Sequence, residues 1–240
     1  MNEVVDVMQA PCLTDRRSEP VSVRIDSRAD SDTSPQFDEE LVVLVHQVFL
    51  RDARPTGEMV MFAGVEHGVG CSLMASSTAL LLARHAGSVC FVEANFRSPS
   101  LAKKFNVADH PGLVDALETD GSFVDVARST DDDRLWVIPA GSVREGVGVL
   151  LTPDRLLRMA HELRNRFRYV IVDAAPLTCY ETKAIAQAAD STVMVLEAGR
   201  TRRDAALAAS DGLRSIGVKL AAAVLNKRTF PIPARVYRSL

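Results

Sequence analysis

The chain has 240 residues, 47% of them hydrophobic, which is enough apolar side chain for one compact domain with a sizeable core. Its formal net charge of −3 argues against nucleic acid as a partner, because neutralising phosphates takes a clustered excess of Lys and Arg. Four cysteines (Cys12, Cys71, Cys90, Cys179) stand far apart with no CxxC or Cys/His spacing, so reduced thiols in a cytoplasmic protein fit better than a metal or disulfide framework.

The first residues, MNEVVDVMQAPCLTD, carry acids where a signal peptide has a basic segment, and no apolar run approaches the roughly 20 residues of a membrane span. The expectation is a protein neither secreted nor membrane-spanning. From about Ala10 to Gln36 the composition turns to Asp, Arg, Ser, Thr and Pro, a mixture that buries too little apolar surface to offset the entropy of ordering, so residues 1–36 read as a flexible arm. Order is expected from Phe37, where Leu41, Leu44, Val45 and Val48 recur at i, i+3, i+4 and i+7 and make one helical stripe.

Beyond that helix, apolar runs of strand length alternate with helical patterns. The strands are MVMFAG (59–64), VCFVEA (89–94), RLWVIPAG (134–141), YVIVDA (169–174), STVMVLEA (191–198) and KLAAAVLN (219–226). The helices are 72–85, 153–166 and 202–216. Strands apolar throughout are buried on both faces, which predicts an α/β fold: three layers, α/β/α, around a mostly parallel central sheet, spanning 37–228 with a tail over 229–240. Thr152 before Pro153 marks one helix start, and Thr201 with Asp204 reads as a capping box at another. Trp136, inside a strand pattern, reads as core rather than as a binding platform.

Directly after the first buried strand comes Gly64-Val65-Glu66-His67-Gly68-Val69-Gly70-Cys71-Ser72, and Leu73 continues into a helix. A strand, a glycine-rich loop and a helix N-terminus together make a phosphate cradle, since glycines let backbone N–H groups turn inward and the helix dipole adds positive potential. In the P-loop pattern a lysine reaches the outer phosphates and a hydroxyl binds Mg²⁺. Here Gly70 and Ser72 fit that pattern, Cys71 stands in the lysine place and Val65 replaces the first glycine. On its own the segment reads equally well as an ordinary βα turn. Two strands ending in acids, at Glu93 and at Asp173, would open on the same sheet edge, where α/β sheets bind ligands.

With VCFVEANFRSP (89–99), YVIVDAAP (169–176), PGLVDAL (111–117) and VLNK (224–227) in this order, the chain resembles the cytoplasmic tyrosine kinases of bacterial capsule and exopolysaccharide systems, relatives of the MinD/ParA ATPases. The resemblance runs from about Glu40 to Arg228. It implies ATP or ADP with Mg²⁺ on a loop of His67, Gly68, Val69, Gly70, Cys71, Ser72 and Leu73. It implies Mg²⁺ at Ser72 and Asp173, catalysis by Glu93 and Asp173, and Asn226 beside the adenine. It also implies an inner-membrane polysaccharide co-polymerase as partner, which would hold the protein at the membrane, and possible self-association.

The departures from that family are chemical. Cys71 removes a cation from phosphates that gain charge in transfer, and a charge-assisted hydrogen bond contributes roughly 1.5–3 kcal/mol. Glu66 brings a negative charge to the start of the loop, while Glu93 and Asn95 replace two aspartates. Only Tyr237 stands in the tail where the family has a tyrosine cluster, so it is the one phosphoacceptor candidate there or simply a surface residue. On the first helix, Glu40 is followed by Val43 and His46 where the family has arginines. Three readings stay open: a degenerate kinase that docks on a membrane partner, an active autokinase, and a MinD/ParA-like positioning ATPase. Other possibilities for single residues are a reactive Cys71 thiol, His67 as a weak cation, and a solvated or anion-touching run at Arg200, Arg202 and Arg203.

Overall fold

The computed structural model describes residues 21–24, 35–51, 57–105, 107 and 110–228. Its elements in chain order are β1 (Val21–Arg24), α1 (Pro35–Val45) continued by a π-helical turn (His46–Leu50), β2 (Glu58–Gly64), α2 (Cys71–His85), β3 (Val89–Ala94), α3 (Leu101–Lys104) and α4 (Leu113–Thr119). They continue with β4 (Arg128–Ser129), β5 (Leu135–Ile138), a 3₁₀ turn (Val147–Leu150), α5 (Pro153–Arg166), β6 (Tyr169–Ala174), α6 (Tyr180–Ala188), β7 (Ser191–Glu197), α7 (Arg203–Ser215) and β8 (Leu220–Asn226).

One eight-stranded sheet runs in the order β1-β8-β7-β2-β6-β3-β5-β4, and every pairing is parallel except that of the two-residue β4 with β5. The strands alternate their side chains between two cores because successive Cβ atoms point to opposite faces. Val60, Phe62, Phe91 and Ile171 pack under α1 and α2, whereas Met59, Met61, Val92, Val170 and Val172 pack under α4 to α6. Both faces are therefore covered, which is why β2, β3 and β6 are buried at every position and why their sequences lack an apolar/polar alternation. This is the three-layer α/β/α architecture read from the sequence.

Several local expectations change. Val48 of the apolar stripe packs against the core only partly buried, while the π-helical turn, with its extra residue per turn, carries Phe49 fully inward, where its ring meets Tyr169 edge-on at 5.8 Å. Val21–Arg24 lies within the segment read as an arm and pairs in parallel with Ala222–Leu225 of β8. Thr201 and Asp204 do not form a capping box. Asp204 is drawn into a bidentate pair with Arg202, at 3.0 and 2.9 Å, and the Thr201 hydroxyl accepts the Glu197 N–H. At α5, Pro153 does occupy the first helical position behind Thr152, but the Thr152 side chain makes no cap hydrogen bond. Trp136 is partly buried, tilted against Phe167 with the Arg166 guanidinium over its ring.

Candidate functional site

Parallel pairing brings the chemistry to one edge. Glu93 and Asp173 are in-register neighbours at the C-terminal ends of β3 and β6, and Asp173 also pairs in register with Phe62 of β2, just before the glycine-rich loop. The loop leaves β2 at Gly64, whose carbonyl accepts the Leu177 N–H, and re-enters helix at Gly70. Gly70 has φ +87, a left-handed conformation that glycine adopts without strain, and a Cβ there would stand 2.2 Å from the Asn226 amide nitrogen. The first α-helical hydrogen bond runs from Met74 N to Gly70 O at 3.1 Å, so the amides of Cys71, Ser72 and Leu73 precede the helical ladder and face the cleft end of α2. A cleft of about 200 Å³ opens there, lined among others by His67, Gly68, Gly70, Cys71, Ser72 and Asn95. Ligand pockets typically enclose about 300–1,000 Å³, so this cleft is suited to enclosing a phosphate tail rather than a whole nucleotide.

The expected loop, adenine-side and tail residues are placed differently from one another. Gly68, Gly70, Cys71, Ser72 and Leu73 line the cleft, and His67 lines it as an exposed residue. Val69 buries its side chain completely in the α1/α2 core and offers the cleft only backbone. Asn226 is fully buried behind the loop: its amide nitrogen donates to Val69 O at 2.8 Å, and its carbonyl oxygen accepts the Lys227 N–H at 2.8 Å. Tyr237 lies outside the described residues.

Asp173 is 1% exposed, and among the described residues neither carboxylate oxygen takes a hydrogen bond of ordinary geometry. Burial pushes its carboxyl up to about 6, with the Glu93 charge adding to the rise. The Ser72 hydroxyl, the Cys71 thiol and the Lys104 ammonium work against that rise. Burial likewise holds the Cys71 thiol well above its usual value, with the Asp173 charge adding to it. Cys71 is therefore a neutral thiol, not the low-pKa thiolate a reactive cysteine needs. The unpartnered Asp173 oxygens, the unpartnered Asn95 Oδ1 and the nearby Ser72 hydroxyl are hard oxygen donors that fit Mg²⁺. When bound, such an ion would neutralise phosphate charge. The loop itself, with an uncharged side chain at position 71, does not reproduce the lysine contact.

Glu93 is fully buried and turned into a structural cap. One oxygen accepts the N–H groups of Ser100 and Leu101 at the start of α3, the latter at 2.7 Å, and the other accepts the Ala140 N–H at 3.2 Å. Its extra methylene relative to aspartate lets it reach the α3 N-terminus.

The charge at Glu66 is met by Arg200 at 3.8 Å, and Arg200 also pairs with Glu197 at 3.2 Å. Lys227 spans from Glu197, at 3.3 Å, to the Gly68 carbonyl. Sequence reasoning overlooked Lys104, whose ammonium donates to Ser76 Oγ at 2.7 Å on α2. Its only signal was a Lys-Lys pair just after the second acidic motif.

The fold and the loop define a three-layer α/β/α protein with a glycine-rich turn between its first buried strand and the helix that follows. The structure aligns with the crystal structure of the chimerical protein CapA2B2 at a TM-score of 0.77, with 20% identity over 88% of this chain and 95% of that one. It aligns with the cell division ATPase MinD of Pyrococcus furiosus at a TM-score of 0.63, with 17% identity over 77% and 80%. In sequence the chain is similar to tyrosine-protein kinase CpsD of Streptococcus agalactiae, 28% identical over 172 residues that make up 71% of this chain and 75% of that one. It is 32% identical over 136 residues to the succinoglycan biosynthesis transport protein ExoP of Rhizobium meliloti, a match covering 55% of this chain and 17% of ExoP. No protein-family model matches the chain. The chain is thus similar in sequence to bacterial tyrosine kinases and shares the fold that also carries the MinD and ParA ATPases.

Proposed function

We propose that this chain is a degenerate tyrosine-kinase-like protein of bacterial exopolysaccharide or capsule synthesis and export. It acts by docking on an inner-membrane polysaccharide co-polymerase and regulating it, with weak nucleotide binding and little or no ATP hydrolysis. That partner would keep a cytoplasmic protein at the membrane; among the described residues no helix is long and apolar enough to cross one. The observation that carries this reading is the neutral Cys71 at the place of the phosphate-binding lysine, reinforced by the commitment of the Glu93 carboxylate to three backbone amides.

Phosphoryl transfer is catalysed by fixed cations and aligned metal at developing charge, so losing the loop cation costs the chemical step more than it costs ground-state binding. Purified full-length protein with ATP and Mg²⁺ should yield no phosphotyrosine and negligible turnover, and its thermal shift with ATP should be small and grow in Cys71→Lys. Robust turnover abolished by Asp173→Ala would overturn the reading. It would favour an active autokinase, for which the unpartnered Asp173 oxygens beside Ser72 are the supporting observation.

A further inference from the structure

Arg200 follows β7 in the turn that stands beside the glycine-rich loop, and the function proposed above makes no use of it. Strand register puts it there: Gly64 of β2 pairs with Val195 of β7, and the Val65 N–H donates to Val195 O at 3.2 Å. The Arg200 guanidinium lies against the loop at Gly68, where a Cβ would stand 3.9 Å from Nη1. Its Nε is 3.8 Å from the Glu66 carboxylate. Gly68 and Glu66 both line the cleft, so two distances to its walls fix the charge of Arg200 at its rim.

The partners that hold Arg200 are exchangeable. Lys227 pairs at 3.3 Å with the same Glu197 oxygen that Arg200 meets at 3.2 Å, so Glu197 keeps a cation when Arg200 turns away. The Arg200 side chain is 57% exposed and that of Glu66 37%, and ion pairs so open to water hold their members weakly. A phosphate offers more charge than Glu66 and matches the guanidinium fork with two parallel hydrogen bonds. Lys227 is tied to the loop itself through the Gly68 carbonyl and stays in place.

We propose that Arg200 is the phosphate-contacting cation of this cleft, exchanging Glu66 for the terminal phosphate of a bound nucleoside diphosphate, and that Glu66 sets the affinity by competing for the same guanidinium. The inference rests on the reading of the cleft as a retained, weak nucleotide site. A cation arriving from the rim supports binding and leaves the inner position at Cys71 uncharged, so the transfer chemistry stays unaided.

The test is titration of ADP with Mg²⁺ into isotope-labelled full-length protein, read in proton–nitrogen correlation spectra at the Gly68 amide and the Arg200 Nε–H. Both signals should shift and saturate together. Arg200→Met should raise the ADP dissociation constant about 10-fold, the lower end of what a hydrogen bond between charged groups is worth. Glu66→Gln should lower it about 2- to 5-fold, the worth of an exposed ion pair. The decisive comparison is Arg200→Met made in the Glu66→Gln background. An arginine that only offsets Glu66 loses nothing there, whereas a phosphate contact keeps its full loss. Arg200→Lys, which keeps the charge, should recover most of the affinity that Arg200→Met loses and guards against misreading a disturbed fold. An Arg200 Nε–H unmoved at saturation, no loss in the Glu66→Gln background, or no recovery in Arg200→Lys overturns the proposal. Absence of any ADP shift at Gly68 in the wild type and in Glu66→Gln also overturns it, while leaving the docking reading in place. ATP turnover by the wild type, read in a separate assay, overturns the docking reading instead.

Discussion

The side-chain amide of Asn226, at the end of β8, donates at 2.8 Å to the carbonyl of Val69 in the β2–α2 loop, 157 residues away in sequence. It leaves no space for a side chain at Gly70, where a Cβ would lie 2.2 Å from the amide nitrogen. The expected outcome is that Gly70→Ala costs at least about 2 kcal/mol, from the left-handed backbone and the clash combined. Asn226→Ala should cost about 1–3 kcal/mol by orphaning the Val69 carbonyl. Because removing Asn226 relieves the clash, the double variant should lose less than the two single losses added together. Urea unfolding of the four proteins checks this.

Placing at position 93 the aspartate of the tyrosine-kinase pattern that the chain resembles should harm rather than activate it. Glu93→Asp is one methylene short of the amides of Ser100, Leu101 and Ala140 that Glu93 satisfies. Losing one or two of these charge-assisted bonds predicts a destabilisation of about 2–4 kcal/mol. No gain in ATP turnover should accompany it. Denaturant melts and a turnover assay on the same preparation decide the point.

The buried Asp173 should leave a signature in stability against pH. Its folded-state carboxyl is raised from 3.8 to about 6, so its contribution is fully present below about pH 4 and is lost as pH rises to about 6. That gap corresponds to about 3 kcal/mol. Asp173→Asn should therefore match the wild type closely at pH 4, and from pH 6 upward exceed it by about 1–3 kcal/mol, since the Asn variant also forgoes the attraction of Lys104. A stability difference between the two proteins that stays flat from pH 4 to 7 would contradict this assignment.

Gly112, second in the PGLVDAL motif, is a glycine for a packing reason. A Cβ there would stand 2.2 Å from Pro139 O and 2.5 Å from Gly141 N, where the start of α4 crosses the loop after β5 and the Leu113 N–H donates to Pro139 O at 2.8 Å. Gly112→Ala should cost about 3 kcal/mol, the upper end of overpacking penalties. Gly212, inside α7, has nothing within 4 Å of its would-be Cβ. Gly212→Ala should stabilise by about 0.4–1 kcal/mol through the unfolded chain. Thermal melts of the two variants should move in opposite directions.

Much of the fold was legible because its strands are buried on both faces. β3, β6 and α5 fall at the residues their patterns predict, and β2, β7 and β8 within one residue at an end. The elements that escaped are short or lack an apolar run, such as β4, α3 and the β1 edge strand, whose pairing is decided by the neighbour and not by composition. The placement of Glu93 and Asp173 on one edge was also legible, since strand ends in a parallel sheet share that edge. The division of labour between them was not. Among the described residues neither oxygen of Asp173 takes a hydrogen bond of ordinary geometry, whereas Glu93 is spent on backbone amides.

The residues themselves determined two things about this protein: a parallel sheet covered on both faces, and a glycine-rich strand-to-helix loop with no cation at position 71. Both follow from side-chain chemistry that needs no knowledge of neighbours. The tertiary structure alone decided where the remaining charges go: Arg200 to Glu66, Lys227 to the Gly68 carbonyl, and Lys104 to Ser76 Oγ on α2. An electrostatic interaction depends on distance in space, and these partners are brought together only by the crossovers that stack one strand end beside the next.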